Sequence, residues 1–113
     1  MIIVKLMVAD KQQGDAFATC LLEKKFTLNV FGNHFDSYHL NSLDAKEHTK
    51  VYVIQFLTKS MLFNEIETNL KNEFPETNFS ICATPIVHLA FSLHNEIKQR
   101  VKGMNLIDDE TES

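Results

Sequence analysis

Two separated segments of this chain are apolar on both sides of an extended backbone, and this feature limits the available folds more than any other. The segments are Ile2–Val8 and Val51–Leu57, each with a single strongly polar residue, Lys5 or Gln55. Strands with nearly unbroken apolar runs are typical of the centre of a sheet. Both segments are therefore predicted to be central strands.

The rest of the sequence alternates between helix and strand patterns. Asp10 offers an N-cap with Gln13 able to reach back, which predicts a helix that starts at Lys11. The predictions that follow in chain order are a strand over Phe26–Phe31, a bend or bulge at Gly32-Asn33, resumed strand over Phe35–Leu40 and a polar loop or hairpin tip over Asn41–Lys50. After the second central strand they are a helix capped by Thr58 or Ser60 and ended by Pro75, a strand from Phe79 to Pro85, and a third helix with Ile86, Ala90, Leu93, Ile97 and Val101 on one stripe.

The predicted order is β-α-β-β-α-β with an additional C-terminal helix. Two right-handed crossovers in this order predict an α+β, ferredoxin-like sandwich whose antiparallel sheet has the strand order 4-1-3-2. The 113 residues leave room for one domain, over residues 1–103, followed by an acidic flexible tail over residues 104–113.

Charge and cysteine content exclude several classes of protein. Four of the 15 acidic residues lie in the last six positions, so the remainder carries 11 acidic against 11 basic residues and lacks the basic excess of a nucleic-acid binder. The chain shows no secretion leader and no apolar run long enough to cross a membrane. Cys20 and Cys82, which lie among apolar and small residues, are predicted to be reduced core cysteines. A cytoplasmic protein is expected.

The central strands predict a self-associating sheet face. Side chains alternate along a strand, so one set of residues would point away from the helices of a two-layer fold. An apolar patch of that size on a lone domain is an aggregation hazard, which favours packing between subunits. The alternative is that the third helix and the segment Phe26–Leu40 fold over it. The predicted interface residues are Ile3, Lys5, Met7, Val51, Val53, Gln55 and Leu57.

Motifs in order along residues 2–101 resemble those of the CutA family, small proteins named for divalent-cation tolerance. Val8-Ala9-Asp10 is similar to the family's Val-Pro-Asp entry to its first helix, and Val51–Thr58 to its third strand. The other similar stretches are Leu21–Lys25 followed by Leu28-Asn29-Val30, Ser37-Tyr38, Phe74-Pro75 and Ala83–Ile86. The resemblance implies a ferredoxin-like homotrimer without established enzymatic activity, associated with copper and other divalent cations.

The sequence departs from the family pattern where the family's ligands are expected. Thr27 or a neighbour replaces a Cys, His39 and Leu40 replace a Trp pair, and Phe74–Thr77 replaces a His-Pro-Tyr-Glu turn. The prediction is a divergent relative that keeps the scaffold with the ligand changed or lost. It would bind a divalent cation such as copper or zinc, or serve as a small sensory or scaffolding module. The alternative is a PII-like signalling protein that binds a nucleotide or small anion between subunits.

Candidate site residues are few. No histidine pair has chelate spacing, and His39, with Asp36 nearby, is the best candidate for a metal ligand. Lys46, Lys50 and Lys59 are the candidates for an intersubunit ligand cleft. No nucleophile motif or Gly-rich phosphate loop is present, so no catalytic residue is predicted.

Overall fold

The computed structural model describes residues 1–103, and the predicted acidic tail lies outside the described residues. The elements are β1 (Ile2–Val8), α1 (Lys11–Glu23), β2 (Phe31–Leu40), β3 (Lys46–Thr58), a short 3-10 turn (Ser60–Leu62), α2 (Phe63–Glu73), β4 (Ser80–Pro85) and α3 (Phe91–Arg100). None of these helices is long and apolar enough to span a membrane.

The four strands form one antiparallel sheet in the order β2-β3-β1-β4. This is the predicted order 4-1-3-2 read from the opposite edge, so the predicted fold is confirmed. β1 lies between β3 and β4, with Lys5 opposite Gln55 on one side and opposite Cys82 on the other. The two strands with the longest apolar runs are therefore the central ones, as their sequences predicted.

The first helix begins where its capping residues place it. The Asp10 side chain accepts a hydrogen bond from the Gln13 backbone N–H at 2.9 Å, and the Gln13 side chain accepts one from the Ala9 backbone N–H at 3.1 Å. These bonds satisfy backbone donors at the start of the helix and around the turn that enters it. The predicted start at Lys11 is confirmed.

All three helices contribute to one core on the same face of the sheet. The even-numbered residues of β1 and those of β3 from Tyr52 to Thr58 are buried there, and Leu21, Ile66 and Ile97 pack with them. Lys24 and Glu73 join α1 to α2 at 2.7 Å. The hydrogen bond from Lys24 to Glu73 raises the pKa of that lysine.

Tyr52 explains two glycines that the sequence left unexplained. Its ring is buried between α1 and the edge strand β2, against Gly14 on one and Gly32 on the other. A Cβ atom at either glycine would overlap the ring. Gly14 therefore lowers the helix propensity of α1, but it allows the helix to pack closely against the sheet.

The predicted strand over Phe26–Phe31 is wrong, because side chains rather than a ladder hold this segment. The Thr58 hydroxyl donates to the Phe26 carbonyl at 2.7 Å, and the Thr27 hydroxyl donates to the Leu57 carbonyl at 2.6 Å. Lys25, with φ of 59°, turns the chain sharply after α1. β2 then runs without a break from Phe31 to Leu40, so the expected bulge at Gly32-Asn33 is also absent.

The segment Asn41–Lys50, predicted as a loop or hairpin tip, is the tip of the β2–β3 hairpin, and its second half, Lys46–Lys50, belongs to β3. Lys46 already pairs with Leu40, and only five residues connect the two strands. The Asn41 side chain closes that turn by accepting hydrogen bonds from the backbone N–H groups of Leu43 and Ala45. The hairpin-tip interpretation is therefore correct for residues 41–45, and the strand begins five residues earlier than Val51.

Two helix starts also differ from their predictions. Neither Thr58 nor Ser60 caps α2, because the Thr58 hydroxyl is bonded to Phe26 and the 3-10 turn precedes the helix. α3 begins at Phe91 rather than near Ile86, whose backbone N–H bonds to the Met1 carbonyl and continues the edge of the sheet. The predicted end of α2 before Pro75 is confirmed.

Candidate functional site

The sheet has an uncovered face, here called the open face, which points away from the three helices. The register places all seven predicted interface residues on it, on the two central strands. Phe31 and Phe35 of the edge strand β2 extend the same face and are 60% and 53% exposed. Met7 of the central strand β1 is 43% exposed. Within residues 1–103 neither α3 nor the segment Phe26–Leu40 covers this face, so the fold-over alternative is wrong for the described chain.

A groove crosses the middle of the open face. Its polar side chains are Lys5, Gln55, Ser80 and Cys82, and its apolar walls include Met7, Phe35 and Val53. Gln55, Lys5 and Cys82 are register partners on three adjacent strands, so they form a short polar row across an otherwise apolar surface. Apolar walls with a few convergent polar groups are typical of binding surfaces.

The second feature is the part of the β2–β3 hairpin that extends past the end of β1, here called the hairpin arm (residues 35–51). β1 ends at Val8, which pairs with Tyr52, so the arm has only two strands. It contributes to an elongated molecule of 53 × 31 × 23 Å. Tyr38, Leu40 and Leu43 are exposed on the arm.

The arm carries two polar clusters on opposite faces. On the side of the open face, the His39 Nε2 atom lies 3.2 Å from the Glu47 carboxylate. On the other side, the His48 Nε2 atom lies 3.0 Å from the Asp36 carboxylate, and the His48 ring stacks on Tyr38 with centroids 4.6 Å apart. Each cluster offers two potential metal-ligating side chains.

The predicted pair of metal ligands is not brought together. His39 and Asp36 are separated by an odd number of positions, so they point to opposite faces of the hairpin and each contacts a different partner. In the part of the chain that the structure describes, no three His, Cys, Asp or Glu side chains are grouped as a metal site would require. Pairing of the arm strands was the missing signal, because the register places His39 opposite Glu47 and brings His48 to the face of Asp36, as its diagonal neighbour.

The predicted ligand-cleft lysines also lie apart within one chain. Lys46 and Lys50 belong to the arm, and Lys59 follows the opposite end of β3. The Lys50–Lys59 separation is about 30 Å along an extended strand. The Lys59 ammonium donates to the Val101 carbonyl at 2.8 Å, a contact that ties α3 to the sheet. A cleft shared by all three stays a prediction that requires more than one copy.

The two cysteines have different surroundings: Cys20 is partly buried against the core, and the prediction of a core position is wrong for Cys82. Cys20 is half-buried, its Sγ atom 3.6 Å from the Asn69 side-chain oxygen, and burial raises the pKa of its thiol. Cys82 is exposed because it lies on the uncovered face of an edge strand. A half-buried thiol with a raised pKa is a poor nucleophile.

Comparison with known proteins assigns the fold. No protein-family model matches the sequence, and no curated protein matches it. Solved structures do match. The periplasmic divalent cation tolerance protein CutA from Archaeoglobus fulgidus is 22% identical with a TM-score of 0.80, over 90% of this chain and 100% of that one.

Two further structures come from distant organisms. CutA1 from Oryza sativa is 15% identical, with a TM-score of 0.81 over 91% of this chain and 94% of that one. The divalent cation tolerance protein from Thermus thermophilus is 16% identical, with a TM-score of 0.79 over 90% and 100%. The resemblance noted in the sequence is confirmed for the fold, which is that of the CutA proteins.

Proposed function

We propose that this chain is a divergent, non-enzymatic CutA protein that assembles as a homotrimer through its open face. A single domain over residues 1–103 is part of this proposal, and it is supported by two solved CutA structures that match 90% of this chain over their whole length. The proposed setting is cytoplasmic, with no nucleic-acid or membrane partner. The observation that carries the proposal is the uncovered apolar face of the sheet.

The energetics of this face favour association. Phe31, Phe35 and Met7 are each about half exposed, and Ile3, Val53 and Leu57 are only partly covered. Burial of apolar surface stabilises by about 25 cal/mol per Å². Contiguous patches of this kind on soluble proteins mark interaction sites. A second and third copy would supply a surface of matching chemistry.

The hairpin arm supports the same conclusion. An isolated two-stranded hairpin is only marginally stable in water. No strand within residues 1–103 pairs with the arm as a third strand, yet the arm carries exposed Tyr38, Leu40 and Leu43. A neighbouring copy that packs against the arm would stabilise it and cover these side chains.

Divalent cations are the proposed ligand class. The His39–Glu47 and Asp36–His48 pairs each provide two donors of the types that zinc and copper accept. A complete coordination shell needs further donors, which an assembly would supply from another copy. The solved structures named for divalent cation tolerance favour this ligand class over an adenine nucleotide.

Sedimentation velocity at micromolar concentration tests the assembly. We expect a trimer for the native chain and a monomer with unchanged circular dichroism for Phe35→Asp, because a carboxylate at a covered apolar site loses its hydration. The matched control is Val87→Asp, a change at an exposed apolar residue that precedes α3, and it should leave the trimer intact. A native chain that sediments as a monomer would contradict the proposal.

Thermal denaturation with added ligands tests the proposal that the protein binds divalent cations. Copper or zinc that binds only the folded protein raises the midpoint by mass action. His39→Ala and His48→Ala should reduce this shift, and His94→Ala, an exposed histidine on α3, should not. A shift with adenine nucleotides and none with metals would reverse the proposed ligand class.

A further inference from the structure

Lys5 is an isolated charge at the centre of the open face. Among residues 1–103, Glu47 is the one carboxylate on this face, and it already contacts His39. Glu47 lies eight positions along β3 from Gln55, the register partner of Lys5, which is about 26 Å. Lys5 takes part in none of the ion pairs between described residues.

The surroundings of Lys5 are rich in hydrogen-bond donors. The side chains of Gln55, Ser80 and Cys82 line the same groove, and they carry an amide, a hydroxyl and a thiol. With the ammonium group, all four side chains can donate a hydrogen bond. Apolar walls around such a cluster lower the local dielectric and strengthen its attraction for a negative charge.

Assembly through this face makes the charge costly unless it is neutralised. A charged ammonium removed from water requires a partner of opposite sign. Rotational symmetry repeats the same surface in every copy, so each subunit brings another Lys5 and no carboxylate from the centre of the face. The centre of the face supplies no such partner, and Glu47 at its far end is held by His39, so the neutralising charge has to come from elsewhere.

We infer that the assembled protein binds a small inorganic oxyanion at Lys5, with Gln55, Ser80 and Cys82 as additional donors. The inference rests on the proposed assembly and adds a ligand to its buried face. An oxyanion of phosphate size offers several acceptor oxygens, which match donors contributed by more than one copy. The anion is a structural counter-ion that couples association of the subunits to its own concentration.

The test measures subunit association in millimolar phosphate and in chloride at matched ionic strength, by sedimentation velocity over a dilution series of the full chain. At a phosphate concentration ten times its dissociation constant, one site per assembly raises the apparent association constant about tenfold. Lys5→Gln should abolish this dependence and Lys5→Arg should retain it. The matched control is Lys98→Gln, which removes an exposed lysine on α3 and should leave the dependence unchanged.

Each outcome separates the two proposals. A native trimer with the same apparent association constant in phosphate and in chloride would overturn the anion site. It would not contradict the proposed assembly. A phosphate effect that persists in Lys5→Gln places the anion elsewhere, or reflects the general strengthening of apolar burial by phosphate, and also overturns it. A monomer under every condition contradicts the assembly itself.

Discussion

At the scale of single residues, two threonine hydroxyls connect the end of β3 to the segment that follows α1. Thr58 is fully buried and donates to the Phe26 carbonyl, while Thr27 donates to the Leu57 carbonyl. A buried carbonyl that loses its donor retains the full cost of its dehydration. These two bonds replace the strand pairing that the sequence pattern suggested for this segment.

Thr58→Val tests the contribution of this connection. The substitution keeps the side-chain volume and removes the hydroxyl that bonds to Phe26, so the free energy of unfolding should fall by about 1–3 kcal/mol. Urea denaturation at one fixed protein concentration measures it. Thr68→Val, at an exposed position of α2, is the matched control and should change stability by less than about 0.5 kcal/mol. Equal losses in both variants would contradict this role for Thr58.

The sequence predicted which face the residues of the two central strands occupy. It did not predict which distant residues contact one another. Alternation placed Lys5 and Gln55 together on the uncovered face, as the register confirms. The sequence did not show why position 14 requires glycine, because the ring that excludes a side chain there belongs to Tyr52, 38 positions away. Contacts between distant residues depend on the packing of whole elements, which a local pattern does not contain.

At the scale of elements, α1 shows how strongly a local signal can specify a boundary. The Asp10 cap and the Gln13 return bond are both encoded within four residues, and the helix begins where they predict. The β2–β3 hairpin is the opposite case. Its charged and histidine residues resemble a loop in composition, and they form strands because each finds a cross-strand partner.

Asp10→Ala tests the capping signal. Loss of the side-chain acceptor leaves the Gln13 backbone N–H without its bond, so stability should fall by about 1 kcal/mol. Asp15→Ala is the control within the same helix, since Asp15 forms only an exposed ion pair with Lys11. A loss for Asp15→Ala as large as that for Asp10→Ala, measured by thermal denaturation, would assign the effect to charge rather than to capping.

At the scale of the whole molecule, the proposed assembly would change the solvent exposure of one cysteine and not of the other. Cys82 is exposed in the single chain and would be covered in the proposed trimer, whereas Cys20 lies on the helical side in either state. Alkylation kinetics can therefore report on the face directly, because only an accessible thiolate reacts.

Iodoacetamide should label Cys82 slowly in the native chain and quickly in the Phe35→Asp monomer. Cys20 should react slowly in both at pH 8, because burial raises the pKa of its thiol and so reduces the thiolate fraction. Its rate should rise about tenfold per pH unit until the pH reaches that pKa. Mass spectrometry of digested peptides measures both sites. Equal Cys82 rates in the two proteins would show that the native face is uncovered.

The two-stranded arm has one more consequence. Among residues 1–103 no third strand pairs with it, so its order in the proposed trimer would depend on a neighbouring copy. Association follows mass action, and dilution would therefore fray the arm before it disturbs the helical core. If the proposed trimer forms, chains made at low abundance would expose the backbone amides of the arm to proteases more often than chains made at high abundance.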